Sequence, residues 1–323
     1  MTDPRQVRRV PRSPDSQPAE PPVPLLPVDY VMACYNVVLL IVWAPLVQTS
    51  GLAQLMMAVH GAGLLLPLFL PQLPARPTLV VRVLRELYPA LWLVVFWREL
   101  GLHCLLVGSA ANDLFVARLD RALFGVNLNA VWAPAMPAAW LAELMQFFYF
   151  SYYALAVGLL SYLLLSGRRE TVRDATLRVG IVYVGAYVCY AAAPTVGPML
   201  MSMFPRFAGP GAHGLFRALN DWLQHSGDAA GTAFPSTHVA GAVALAWLAW
   251  RHCPRPVAWA ATVCAAMVGP ATVYTQNHFL LDAVGGAVLG VACQGWLVPL
   301  LGGARPLAWP ALAPRIKTEP ETA

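Results

Sequence analysis

Residues 232–240 read TAFPSTHVA and residues 274–286 read YTQNHFLLDAVGG, and each stretch sets a histidine at the start of an apolar run. His238 and His278 are forty residues apart. That interval fits one membrane span, a short turn at RHCPRP and one span back, which returns both imidazoles to the same face. His278 and Asp282 stand four apart, one turn on a single helix face. A carboxylate so placed holds one ring nitrogen, fixes the tautomer and makes the other nitrogen more basic. Pro235 suits the first turn of a helix, where its missing N–H costs nothing. The hydroxyls and N–H groups around Ser236 and Thr237 then point out of the helix mouth. Two helix N-termini converging on one spot attract negative charge, and phosphate is an anion that suits such a place.

Each feature alone has a plainer reading. A histidine near a helix end can be an interfacial polar residue, a His–Asp pair can be local, and Pro-Ser-Thr before a helix is ordinary capping chemistry. An ionisable residue inside a membrane span is costly, however, and points to function. Asp282 is such a residue, and two histidines share its side.

The elements that must position these groups follow from composition. The 323 residues are 58% hydrophobic and 11% charged, with a mean hydropathy of +0.58. Soluble domains carry roughly a quarter charged residues, so a soluble globular domain is excluded and an all-α, polytopic membrane helix bundle is expected. About eight runs approach the roughly 20 residues that cross a bilayer: 28–48, 52–71, 79–97, 140–166, 177–193, 235–250, 257–274 and 278–300. Residues 28–301 form the membrane domain, with tails expected to be disordered and cytoplasmic at 1–27 and 302–323. The more polar segment 98–139 is expected as a non-cytoplasmic loop carrying an amphipathic interfacial helix.

The net charge of +5 does not mark a nucleic-acid binder, because the basic residues form short clusters between apolar runs. With both termini inside, sixteen of the 21 Lys and Arg fall on cytoplasmic segments, and Arg98, Arg118, Arg121, Arg206 and Arg217 fall outside. This asymmetry supports eight spans with His238 and His278 at the outer face. One lysine against twenty arginines hints at a GC-rich bacterial source, hence an inner membrane with the site facing the periplasm. The six cysteines lie singly and read as small buried hydrophobes rather than disulfides or zinc ligands. No cofactor and no metal is expected, and the sequence does not specify an oligomeric state.

FPSTHVA and NHFLLDAVGG resemble the central and last motifs of the type 2 phosphatidic acid phosphatase superfamily. DLFVARLDRALFGVNLNAVW and FFYFSYYALAVG are similar to its branch near the inositol phosphorylceramide synthases. The likeness spans roughly 110 to 290 and implies a six-helix phosphatase-like core. It also implies His278 as nucleophile through a phosphohistidine, Asp282 as its orienting carboxylate and His238 as the acid for the leaving group. Ser236 and Thr237 would cradle the phosphoryl oxygens of a membrane lipid phosphate. The stretch AAAPTVGPML, containing Thr195, matches the first motif but lacks its lysine and arginine, and Thr272 stands where another arginine is usual. Arg98, Arg206 and Arg217 are the candidates to replace those cations, with Thr195 as a further phosphate ligand. For Arg98 the alternative is a pair with Glu99, and for the other two simple exposure to solvent.

Hydrolysis of a lipid phosphate or diphosphate is the leading expectation, and transfer of a phospho-head group to a lipid alcohol is the alternative. Two further possibilities stay open: a zinc site of His238, His278 and Asp282, and a non-catalytic relative that binds or moves lipids.

Overall fold

In a bilayer a backbone amide finds its partner only in another backbone amide, so long apolar runs become helices. The computed structural model describes residues 25–70, 78–165, 169–207, 209 and 214–301, and helices are its only regular elements there apart from a single β-bridge. They are α1 (Pro27–Trp43), α2 (Gly51–Phe69), α3 (Leu79–Val107), α4 (Ala110–Phe124), α5 (Leu128–Ala135) and α6 (Ala139–Leu165). Then follow α7 (Arg169–Ala192), α8 (Leu215–Gly227), α9 (Thr237–His252), α10 (Arg255–Tyr274) and α11 (Leu280–Ala292). A π-helical turn, Cys293–Leu297, extends α11 to Leu300.

Seven of these, α1, α2, α3, α6, α7, α10 and α11, are long and apolar enough to cross a membrane. The eighth expected span, α9, has 16 residues, about 24 Å of helix at 1.5 Å per residue. Its ends are set by Ser236 and Cys253, and ten of its residues are buried among other helices. Around α9 pack α6, α7, α10 and α11, with α3 against α7. α1 and α2 pair with each other at the edge and reach this core through α1 against α7. Apolar side chains such as Leu55, Leu68, Val94 and Leu105 point outward, as a lipid-facing surface requires.

The expected loop at 98–139 is largely helical. α3 runs on to Val107 and stops at Gly108, whose φ of 77° suits glycine. α4 is amphipathic, and its buried stripe is Asp113, Val116, Ala117 and Asp120. Two of those four positions are carboxylates. The tails expected at 1–27 and 302–323 lie outside the described residues, except that residues 25–27 lead into α1.

α9 and α11 approach each other closely. A Cβ on Gly286 would sit 2.4 Å from the Ser236 carbonyl oxygen, and one on Gly290 would sit 3.0 Å from that of Ala240. These two glycines, four apart on one face, let the backbones touch, as small-xxx-small pairs do in membranes. The two helices therefore start side by side, and the Ser236 N–H donates to the Asp282 carbonyl at 3.0 Å.

Candidate active site

His238 is the second residue of α9, and Ser236 is its N-cap. Pro235 accordingly precedes the cap rather than occupying the first turn, and its carbonyl accepts a hydrogen bond from the Tyr190 hydroxyl. His278 is not on α11 at all, because the helix begins at Leu280 with Phe279 as cap. The expected helix-face geometry is therefore replaced by a capping one. The Asp282 carboxylate folds back over the helix start and accepts the Phe279 N–H at 2.9 Å, while the same oxygen meets His278 Nδ1 at 3.3 Å. This leaves Nε2 of His278 for the cleft it lines.

The turn that delivers His278 is tightly made. The Thr272 carbonyl accepts the N–H groups of both Asn277 and His278, at 3.0 and 3.1 Å. Gln276 adopts a φ of 63°, uncommon for a residue other than glycine, and its side-chain oxygen accepts the Phe207 N–H at 2.7 Å. Thr272, standing where the family usually has a cation, is thus a buried structural residue of this turn.

The two imidazoles meet, with centroids 5.8 Å apart and planes at 63°. Both line a cavity of about 410 Å³ with Arg206, Asp228, Trp97 and Tyr149. Around His238 stand three tyrosines of α6, with Tyr149 and Tyr152 each 4.8 Å and Tyr153 5.4 Å from its ring. The Tyr153 hydroxyl lies 2.9 Å from His238 Nε2. Gly241, one turn further along α9, makes room for this cage, since a Cβ there would lie 3.0 Å from the Tyr152 ring.

Three buried polar atoms at this point have no partner among the described residues: Ser236 Oγ, His238 Nδ1 and Asp282 Oδ1. Leaving such groups unpaired is costly, and their clustering where α9 and α11 begin marks a place built for a polar ligand. The α9 N-terminus has no side-chain cap, so its first-turn N–H groups are left to attract an anion.

Of the other expected phosphate ligands, Thr237 is buried in the first turn of α9. Thr195 is also buried, but its hydroxyl accepts the Phe234 N–H at 2.9 Å, and its backbone pairs with Gly231 and Ala233. It braces the FPST loop from behind. Arg206 faces the cavity, where it also meets Asp221 and Gln224 at 3.3 and 3.4 Å. Arg98 is not among the residues lining the cavity. Its guanidinium is exposed and donates to the Ser226 carbonyl at 2.9 Å, while Glu99 turns inward to Trp43 and His60. Arg217 pairs with Asp221 at 2.7 Å.

Several supports were not singled out in the sequence. Asp113 accepts the N–H groups of Val196 and Gly197 at 2.8 and 3.4 Å, and Asp120 accepts that of Leu281 at 2.8 Å. α4 thereby fastens the loop after α7 and the start of α11. The readable signal is the seven-residue spacing of two acids on an otherwise apolar stripe. Asp228, in the loop between α8 and α9, carried no such signal. Burial pushes its carboxyl up to about 6, against the opposing pull of His278 and His225.

His238, His278 and Asp282 do not form a metal cluster, and no group of His, Cys, Asp and Glu among the described residues could hold one. What the arrangement offers is a nucleophilic nitrogen, its orienting carboxylate, a second imidazole and a pocket for an oxyanion.

The sequence profile of the PAP2 superfamily matches residues 114–296, more than half of the chain, and that stretch includes Ser236, His238, His278, Asp282, Arg206 and Asp228. The chain belongs to the PAP2 superfamily, a phosphatase-like family. No curated protein and no solved structure gives a match.

Proposed function

We propose that the protein cleaves a lipid phosphate ester through a phosphohistidine on His278, with the cleft at the non-cytoplasmic face of the membrane. Nε2 of His278 attacks phosphorus, and the bond from phosphorus to the lipid oxygen breaks. His238 gives the departing alkoxide its proton. Asp282, at 3.3 Å from Nδ1, stabilises the positive charge the ring acquires. Ser236, the first turn of α9 and Arg206 receive the oxyanion. In the second half water enters, His238 takes its proton, and its oxygen displaces the imidazole. The observation that carries this reading is the 5.8 Å approach of two imidazoles beside the unpartnered Ser236 hydroxyl.

Transfer to a lipid alcohol in place of water is the second reading. It is favoured by the scarcity of cations, since Arg206 is the one guanidinium among the lining residues. The test is chemical trapping. Lipid labelled in its phosphate should leave label on the purified protein, stable to base and lost in acid, and His278→Ala should carry none. Label on the His278→Ala protein, or none on the parent while it turns lipid over, would defeat the proposal.

A further inference from the structure

The cleft is poorly charged for a phosphate site. Its lining sets a single guanidinium, Arg206, against a single carboxylate, Asp228, and Arg206 is already shared with Asp221 at 3.3 Å. The cavity is also lined by the imidazoles of His225, His238 and His278, and with His238 protonated for its acid step the pocket balances one negative charge rather than the two of a phosphomonoester dianion. A phosphodiester brings only one.

The place of Asp228 is equally specific. Trp97 Nε1 donates to the Gly227 carbonyl at 2.8 Å, so the indole is fixed to the residue just before Asp228. The carboxylate, the indole and the Tyr149 ring line one cavity. A carboxylate beside aromatic faces is a site for an alkylammonium. A polyol would need free amide and hydroxyl groups instead. The cleft's two amides are already engaged: Gln224 donates to Asn277 at 3.0 Å and to Tyr149 at 3.2 Å, and Asn277 donates to Thr275 at 2.7 Å.

Resting on the phosphoryl-transfer reading above, we infer that the substrate is a zwitterionic phosphodiester lipid, its ammonium head held by Asp228 and Trp97 and its phosphate by Arg206, Ser236 and the start of α9. A two-carbon tether keeps the ammonium beside its phosphate, and Asp228 and His278 line the same cavity. Attack by His278 then breaks the bond to diacylglycerol, which leaves with a proton from His238. The phospho-amine stays on the imidazole until water or a lipid alcohol displaces it.

Diacylglycerol release reports this step for any head group. The full-length protein in mixed micelles would be given phosphatidylethanolamine, phosphatidylglycerol or phosphatidate, each with and without a long-chain alcohol as acceptor. kcat/KM should favour phosphatidylethanolamine by about tenfold or more. Asp228→Asn should lower that value and raise those for the two anionic lipids, and Trp97→Leu should lower the first without raising the others. Equal or better turnover of either anionic lipid by the parent protein overturns the inference and leaves phosphoryl transfer standing. So does an Asp228→Asn protein slowed alike on all three. Absence of diacylglycerol from every lipid, in a preparation of intact fold, overturns the inference, and the phosphoryl-transfer reading falls with it only if no labelled lipid phosphate leaves label on His278.

Discussion

Among the described residues, two buried histidine–carboxylate pairs lie in this bundle, and they differ in what is left over. In the α1–α3 unit His60 meets Glu99 at 2.7 Å through Nε2 and Asn36 at 2.9 Å through Nδ1, and Trp43 also donates to Glu99. Both nitrogens are used, and the ring is fully buried. At the cleft His278 uses only Nδ1, on Asp282, and turns the rest of its ring to a cavity. Polar contacts between membrane helices often serve as glue. An imidazole with no spare nitrogen can do only that, whereas one with a spare nitrogen facing a pocket can also react.

The sharpest way to break this contrast is to remove each ring. His278→Ala should lower turnover by about a thousandfold or more, as loss of a nucleophile does, with thermal stability in detergent little changed. His60→Ala should do the reverse. It leaves Glu99 and Asn36 buried without their partner, at a cost of about 1–3 kcal/mol, while the phosphoenzyme still forms. A His60→Ala protein of normal stability but no activity would erase the distinction.

The carboxylates sharpen it further. Asp282→Asn retains an acceptor for the Phe279 N–H but loses the charge that supports an imidazolium on His278. Turnover should fall by about a hundredfold, with KM nearly constant. Glu99→Gln keeps its contacts with Trp43 and His60 and should leave kcat within about twofold. Steady-state kinetics on the same lipid separates the two, and equal losses in both would mean that the Asp282 charge is not used in the reaction.

The same contrast explains which parts of the site the sequence made legible. The pairing of His238 with His278 was readable because span length and parity carry a chain down and back to one face. The all-helical bundle was readable from the apolar runs, although α9 proved shifted by two residues and α3 longer than hydropathy alone suggested. What could not be read depends on chain reversals and long-range contacts. His278 sits before its helix because Asp282 caps that helix, and four-residue spacing is the same in either case. Tyr153 reaches His238 across 85 positions, and Asp120 reaches the start of α11 across 161. No local periodicity encodes such meetings. Thr195 kept its place beside the site but took a bracing role, because its hydroxyl is already occupied by Phe234.

Tyr153 offers the finest distinction, since it belongs to the cleft yet acts through another residue. Its hydroxyl, 2.9 Å from Nε2, helps set which His238 nitrogen carries the proton, since Nδ1 has no protein partner among the described residues. Tyr149 and Tyr152 already confine the ring at 4.8 Å, so Tyr153→Phe should leave it in place. The expected loss in kcat is about tenfold, the scale of one misdirected proton transfer, accompanied by a displaced limb in the pH profile. Tyr152→Phe removes a hydroxyl from the same cage without touching that nitrogen, so its profile should keep the parent shape. If both variants slow turnover equally at every pH, the tyrosines serve packing alone. The division between imidazoles that hold and imidazoles that react would then rest on His278 by itself.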